Sequence, residues 1–303
     1  MSAHSTPDVA VPRKRAGFVA YAACIRYGEV LILQGSPLFG MAFAIRDVTF
    51  EKVLSMLVCL LASSLLVAHV FSLNDWAGIA PDSNDPNKSA DVFVTRGIRR
   101  PGFAALSLGL LAASLLLLAL LPLPTLLLGI AIAALGAIYS LPVFNAKGAP
   151  VASSLPHLVG GALHFLLGYS VFSALDHRGA LIALFFALTF TAGHLNQEVR
   201  DYDGDRLNGI RTNAVVFGKM PAFIAGLVLF TVAYADLFVL AYRGIVPTPL
   251  VALPAVLYPI HIVWSATTLR GGLTFASVSR FQNRYRILYA VIGVAMLAAL
   301  SIR

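Results

Sequence analysis

Charged residues are scarce in this sequence. Only 12% of its 303 residues are Asp, Glu, Lys or Arg, whereas about a quarter are charged in an ordinary soluble domain. Hydrophobic residues make up 58% of the chain, and its mean hydropathy is +0.82. These values exclude a soluble globular protein and predict an integral membrane protein, with membrane lipid as a partner and no nucleic acid.

Cysteine is nearly absent. The two cysteines, Cys24 and Cys59, both lie inside apolar runs. They form neither a disulfide framework nor a C-x-x-C metal site. Redox chemistry therefore has no support in the sequence.

Long apolar runs recur along almost the whole chain. A helix needs about 17–25 apolar residues to cross the hydrocarbon core, and the runs predict an all-α, polytopic fold with nine such helices. Pro122 and Pro124 separate the third helix from the fourth, since proline ends one helix and suits the first turn of the next. The predicted spans are 17–45, 51–73, 102–121, 124–143, 151–174, 179–197, 220–242, 247–268 and 285–302.

The distribution of Lys and Arg predicts the orientation. With nine spans, 16 of the 22 basic residues fall on the side of the N-terminus and five on the other, with Arg26 inside the first span. Because basic loops stay in the cytosol, we expect residues 1–16 to form a cytosolic N-terminal tail and the protein to lie in the cytoplasmic membrane. Residues 17–303 form one membrane domain, with cytosolic motif loops at 74–100 and 196–219.

The few carboxylates cluster in those two loops. Glu198, Asp201 and Asp205 are three and four residues apart, so a helix continuing from the sixth span places them on one face. Three negative charges on one helix face repel one another, and a hard divalent cation between them would offset this repulsion. Mg²⁺ usually binds one or two carboxylates together with substrate phosphates. A diphosphate site is one interpretation; solvated loops paired with nearby arginines are the other.

The first cluster follows the second span. Asn74, Gly78 and Asp82 fall at four-residue steps, and Asp75 follows Asn74. Pro81 is expected to end the regular helix. Whether Asp82 or Asp85 completes this side is left open by the sequence.

These residues resemble the UbiA superfamily of intramembrane prenyltransferases. The first motif of that family, N-D-x-x-D-x-x-x-D, is matched at three positions, and Gly78 replaces its central Asp. A second motif, D-x-x-x-D followed by R-x-x-G-x-x-T, and a third, Y-S-x-P followed by a basic residue, are also present. The matching residues are Asn74, Asp75 and Asp82; Asp201, Asp205, Arg206, Gly209 and Thr212; and Tyr139, Ser140, Pro142 and Lys147.

The resemblance implies a helical bundle around a central cavity open to the cytosol. It also implies Mg²⁺-dependent transfer of an isoprenyl chain from its diphosphate to an acceptor, commonly aromatic. Asp75, Asp82, Asp201 and Asp205 would hold Mg²⁺, with Asn74 and Glu198 beside them at the diphosphate. Lys147, Arg26 and Tyr139 are the catalytic candidates.

Alternatives stay open for several of these assignments. Arg26 could instead pair with Glu29, and Tyr139 could belong to an interfacial aromatic belt. Asp85 could replace the carboxylate that Gly78 lacks. A membrane-embedded terpene cyclase would use the same site, whereas a transporter is disfavoured because its ionisable groups lie near the bilayer midplane.

Overall fold

The computed structural model describes residues 17–144 and 146–301. The tail predicted at 1–16 lies outside this part of the chain. Within it the fold is all-α, with no β-strand. The helices are α1 (Phe18–Ala22), α2 (Tyr27–Leu33), α3 (Gly35–Ala44), α4 (Phe50–Ala77), α5 (Ile79–Asn84), α6 (Arg100–Leu118), α7 (Leu123–Ser140), α8 (Leu155–Tyr169), α9 (His177–Leu207), α10 (Asn213–Phe217), α11 (Lys219–Tyr242), α12 (Ala252–Arg270) and α13 (Phe275–Ser301).

Seven helical segments among the described residues are long and apolar enough to cross a membrane. They are α4, α6, α7, α9, α11, α12 with the short 3₁₀ turn before it, and α13. The protein is therefore an integral membrane protein. The predicted count of nine is not confirmed, because α8 has only 15 residues and the first predicted span is divided into α1, α2 and α3.

The division of the first span follows from local chemistry. Arg26 caps α2 in a non-helical conformation, and Gln34 ends α2 and begins α3. Pro37 then falls in the first turn of α3, where a missing backbone N–H costs no helical hydrogen bond. The break before α2 frees the Arg26 side chain to reach another helix.

Two of the spanning helices continue beyond their predicted ends. α4 runs to Ala77 and so includes Asn74 and Asp75. The helix ends at Gly78, and Pro81 lies in the first turn of α5, so the expectation that Pro81 ends the helix was wrong. α9 runs to Leu207 and carries the second acidic cluster in its last turns, as the spacing predicted.

The bundle packs around α9, the most buried of the spanning helices. α3 crosses α8 at close range: a Cβ on Gly168 would lie 2.7 Å from Pro37 Cα, and one on Gly40 would lie 2.6 Å from the Tyr169 amide nitrogen. Only glycine allows backbones to approach so closely. The outward faces keep large apolar side chains exposed, as expected for lipid contact, and examples are Leu57, Leu116, Leu127, Val228 and Val263.

Candidate functional site

The two acidic segments meet at one end of the bundle. Asn208, which ends α9, donates a hydrogen bond from Nδ2 to the Pro81 carbonyl at 2.9 Å and accepts one from Asn84 Nδ2 at 3.1 Å. Asp85 packs directly on the backbone of Gly204, where any Cβ would overlap the carboxylate. These contacts hold the α5 segment against the end of α9.

A lysine lies at the centre of the junction. Lys88 Nζ is 2.9 Å from Asp201 Oδ2, 3.8 Å from Asp82 Oδ1 and 3.9 Å from Asp85 Oδ2. Burial disfavours the charged form of this lysine, but the negative charges of Asp201 and Asp82 outweigh it and raise the Lys88 pKa above its ordinary value. One ammonium group therefore neutralises carboxylates from both motifs.

Arg26 reaches the same region from the start of α2. Its guanidinium binds both oxygens of Asp75, with Nε 3.2 Å from Oδ2. Glu29 pairs instead with Arg286 of α13, at 2.7 Å. The alternative pairing of Arg26 with Glu29 is therefore wrong, because the break before α2 turns the two side chains to different partners.

The remaining predicted residues lie around this junction. Asn74 is next to Asp75 in the last turn of α4. The buried Asp205 is one turn after Asp201 on α9. Lys147 follows α7, and it is near enough to both Asp75 and Asp205 for its charge to act on each of them.

Three of the four aspartates, Asp75, Asp82 and Asp201, each contact a basic side chain. Arg200 binds both oxygens of Asp201, at 2.6 and 3.0 Å, and also contacts Gln282 of α13 at 3.0 Å. Accordingly, no three His, Cys, Asp or Glu side chains in the described segments converge as a ready-made metal site. The donors are nevertheless hard oxygens at a shared surface, which suits Mg²⁺ completed by substrate phosphates.

Glu198 does not join the Lys88 group. It is buried one turn earlier on α9, where Oε1 accepts hydrogen bonds from Asn213 Nδ2 at 3.2 Å and Ser153 Oγ at 3.3 Å. His194 Nε2 lies 3.1 Å from the same oxygen, at an angle that falls short of a hydrogen bond. Glu198 therefore belongs to a second polar cluster, which lies deeper in the bundle than the aspartates and is called the deeper cluster below.

Three rings complete this deeper cluster. His157 of α8 stacks on His194 with ring centroids 3.6 Å apart and planes 9° apart. Tyr139, at the end of α7, meets the His157 ring edge-on at 4.7 Å. His164 of α8 has a different environment and contacts Ser63 Oγ at 2.8 Å, as a polar partner within the bundle.

Sequence reasoning missed three residues of the site. Lys88 entered only the count of basic residues, Arg200 was considered only as one of the nearby arginines that could pair with the acids of a solvated loop, and His157 carried no motif. Their roles depend on which helices pack together, so no spacing rule could have found them. The one available signal for Lys88 was its position six residues after Asp82, as the only basic residue between Asp75 and Asp91.

Comparison with known proteins identifies the family. The sequence matches the UbiA prenyltransferase family over residues 36–283, most of its length. The chain belongs to this family. Among curated protein sequences, none is significantly similar to the chain.

Solved UbiA structures share the fold at low sequence identity. A UbiA homologue from Archaeoglobus fulgidus bound to DMAPP and Mg²⁺ has a TM-score of 0.72 and 18% identity, and the alignment covers 94% of this chain and 100% of that one. The apo UbiA homologue from Aeropyrum pernix K1 has a TM-score of 0.73 and 17% identity, covering 92% and 98%. A structure described as digeranylgeranylglyceryl phosphate synthase in membranes has a TM-score of 0.67 and 16% identity, covering 93% and 98%. At such identities the likeness shows the UbiA fold.

Proposed function

We propose that this UbiA protein transfers an isoprenyl chain from its diphosphate to an aromatic acceptor within the membrane, in a Mg²⁺-dependent reaction. The observation that carries the proposal is the contact of Lys88 with Asp82 and Asp201, because it joins both acidic motifs around one point of positive charge. The structures of the Archaeoglobus fulgidus homologue with DMAPP or GPP and Mg²⁺ support this choice of donor and ion.

Four aspartates would hold Mg²⁺: Asp75, Asp82, Asp201 and Asp205. Bound there, the ion would neutralise the charge that develops on the leaving diphosphate. Lys88 and Arg26 now neutralise three of these carboxylates. When a metal takes their place, both cations are free to turn to phosphate oxygens, as is Lys147, and to stabilise the leaving group further.

Asp85 supplies the carboxylate that the first motif lacks at Gly78. It is 3% exposed, packs on Gly204 and lies 3.9 Å from Lys88. It therefore occupies the same electrostatic site as Asp82, although it comes from the turn after α5. Asn74, beside Asp75, would orient the diphosphate on this side.

The acceptor would approach from the deeper cluster. Tyr139 and the two stacked histidines present aromatic faces and polar edges, which suit a ring that carries hydroxyl groups. The site would open to the cytosolic face of the cytoplasmic membrane, because both acidic motifs lie at the same end of the bundle and the basic loops lie on that side.

Turnover by purified protein in nanodiscs tests the proposal. Geranyl, farnesyl and geranylgeranyl diphosphates are supplied with Mg²⁺, with and without a panel of phenols and dihydroxybenzenes, and both diphosphate release and prenylated product are measured. The expected result is acceptor-dependent release that a chelator abolishes. Release without acceptor, with a cyclic hydrocarbon as product, would show a terpene cyclase instead.

A matched pair of variants on α9 controls the experiment. Asp201→Asn removes a carboxylate that contacts Lys88 and should lower turnover at least about 100-fold. Asp203→Asn makes the same chemical change two residues away, where the carboxylate is exposed and pairs with Lys219, and should leave turnover within about twofold of wild type. Equal losses in both variants would contradict the proposed site.

A further inference from the structure

The deeper cluster lies between the carboxylates and the interior of the bundle. Glu198 is one turn before Asp201 on α9, and His194 is one turn before Glu198. At 1.5 Å per residue, His194 is about 10 Å from Asp201 along the helix. A hydrocarbon chain that is bonded to a diphosphate at the aspartates and follows α9 toward the interior of the membrane would therefore pass this cluster.

The hydrogen bonding of His157 determines its tautomer. Nδ1 is 3.1 Å from the Ser153 backbone carbonyl, and since a carbonyl only accepts, Nδ1 carries the proton. Nε2 then bears a lone pair, and no described residue is its hydrogen-bond partner. His157 also keeps partial exposure, whereas His194 and Glu198 are buried.

Burial and the adjacent His194 hold the pKa of the His157 ring well below its ordinary value, so the ring is neutral in the free protein and can accept a proton. His194 stacks on one face, and Glu198 lies 3.1 Å from His194. Glu198 Oε2 is buried with no hydrogen-bond partner among the described residues. A buried carboxylate with an unused oxygen costs free energy, and a proton arriving on the adjacent histidine pair would offset that cost.

We infer that His157 is the base that takes the proton from the acceptor. The negative charge of Glu198, which lies beside His194, would stabilise the positive charge that His157 gains. The inference rests on the proposed prenyl transfer and names its acceptor class: a ring that must lose a proton, such as a phenol. Tyr139, edge-on to His157, would position that ring.

The step balances without another reactant. The bond between the allylic carbon and the diphosphate oxygen breaks, and its electron pair leaves with the diphosphate. A π pair of the acceptor ring forms the new C–C bond to the allylic carbon. The proton on that ring carbon passes to Nε2 of His157, and the C–H electron pair restores the aromatic ring.

His157→Asn is the variant that tests the role most closely. Its side-chain amide can still donate to the Ser153 carbonyl but cannot take up a proton. His157→Gln is a second variant, and His177→Asn, at the exposed first residue of α9, is the matched control. The acceptor is the phenol of the panel that wild type prenylates fastest, with its ring either protiated or deuterated.

Both His157 variants should lower prenylation by at least about 100-fold, the usual contribution of a general base. They should bind geranyl thiolodiphosphate, an unreactive donor analogue, within about twofold of wild type, since the base does not contact the diphosphate. Ring deuteration should slow the variants but not the wild type, because proton removal becomes rate-limiting only when the base is lost.

Other outcomes overturn the inference in distinguishable ways. Prenylation that is unchanged in both variants would show that His157 is not the base. Loss of donor-analogue binding in parallel with activity would show a structural role. Failure of wild type to prenylate any phenol would remove the proposed function itself, and with it the role of His157.

Discussion

Gly204→Ala should separate the two acidic motifs. A Cβ at this position would overlap the carboxylate of Asp85, which is 3% exposed and cannot move without leaving its packed position. Forcing extra volume into such a site costs about 1–3 kcal/mol. Replacing glycine by alanine within a helix recovers about 0.5–1 kcal/mol.

Gly193→Ala provides a matched control on the same helix. There the new Cβ would meet only the Tyr285 hydroxyl, at the ordinary distance of 3.4 Å, so the helix gain of about 0.5–1 kcal/mol is kept. The two variants should therefore differ in stability by about 1–3 kcal/mol. Thermal denaturation in one detergent should give Gly204→Ala the lower Tm.

The effect of Gly204→Ala on ligand binding depends on the role of Asp85. If its carboxylate belongs to the diphosphate site, Gly204→Ala should weaken Mg²⁺-dependent binding of geranyl thiolodiphosphate about tenfold, the equivalent of about 1.4 kcal/mol. Gly193→Ala should bind as wild type does. Equal Tm values and equal affinities in the two variants would refute both the packing argument and the role of Asp85.

Two further changes test the junction and the fold. Lys88→Met should destabilise the protein by about 1–3 kcal/mol, because it leaves partly buried carboxylates without their partner. Since the Lys88 pKa is raised, the stabilisation by Lys88 should be constant between about pH 6 and 9 and be lost only as pH rises above the ordinary lysine range. A stability difference from wild type that shrinks near neutral pH would contradict the ion pairs. Gly168→Ala should cost at least about 3 kcal/mol, since its Cβ would overlap the backbone at Pro37, whereas Gly160→Ala, which faces open space, should leave Tm unchanged or raised.

The sequence predicts the helices well where apolar runs are long and proline or charge interrupts them. Pro122 and Pro124 separate α6 from α7 as expected, and α9 carries its acidic residues on a helical extension. The first span misleads because it is apolar on average, even though Arg26 and Gln34 lie within it. Its division depends on caps at Arg26 and Gln34 that hydropathy does not register.

The candidate site is predictable only in part for a related reason. Spacing identifies Asp201 and Asp205, since a helix fixes the separation of its own side chains. Spacing does not predict that Arg26 pairs with Asp75, 49 residues away, or that Lys88 contacts Asp201. It also does not predict that His157 stacks on His194. These contacts arise from the packing of separate helices, which one sequence does not encode in a readable pattern.

Binding of geranyl thiolodiphosphate tests most directly whether the two motifs form one Mg²⁺–diphosphate site. Affinity is measured by calorimetry with Mg²⁺ or with a chelator, for wild type, Asp82→Asn, Asp201→Asn and the double variant. We expect binding that requires Mg²⁺ and a double variant whose loss is clearly less than the sum of the single losses, since residues that share a ligand are not independent. Binding that is unchanged by the chelator, or a double-variant loss of binding free energy equal to the sum of the two single losses, would contradict the account.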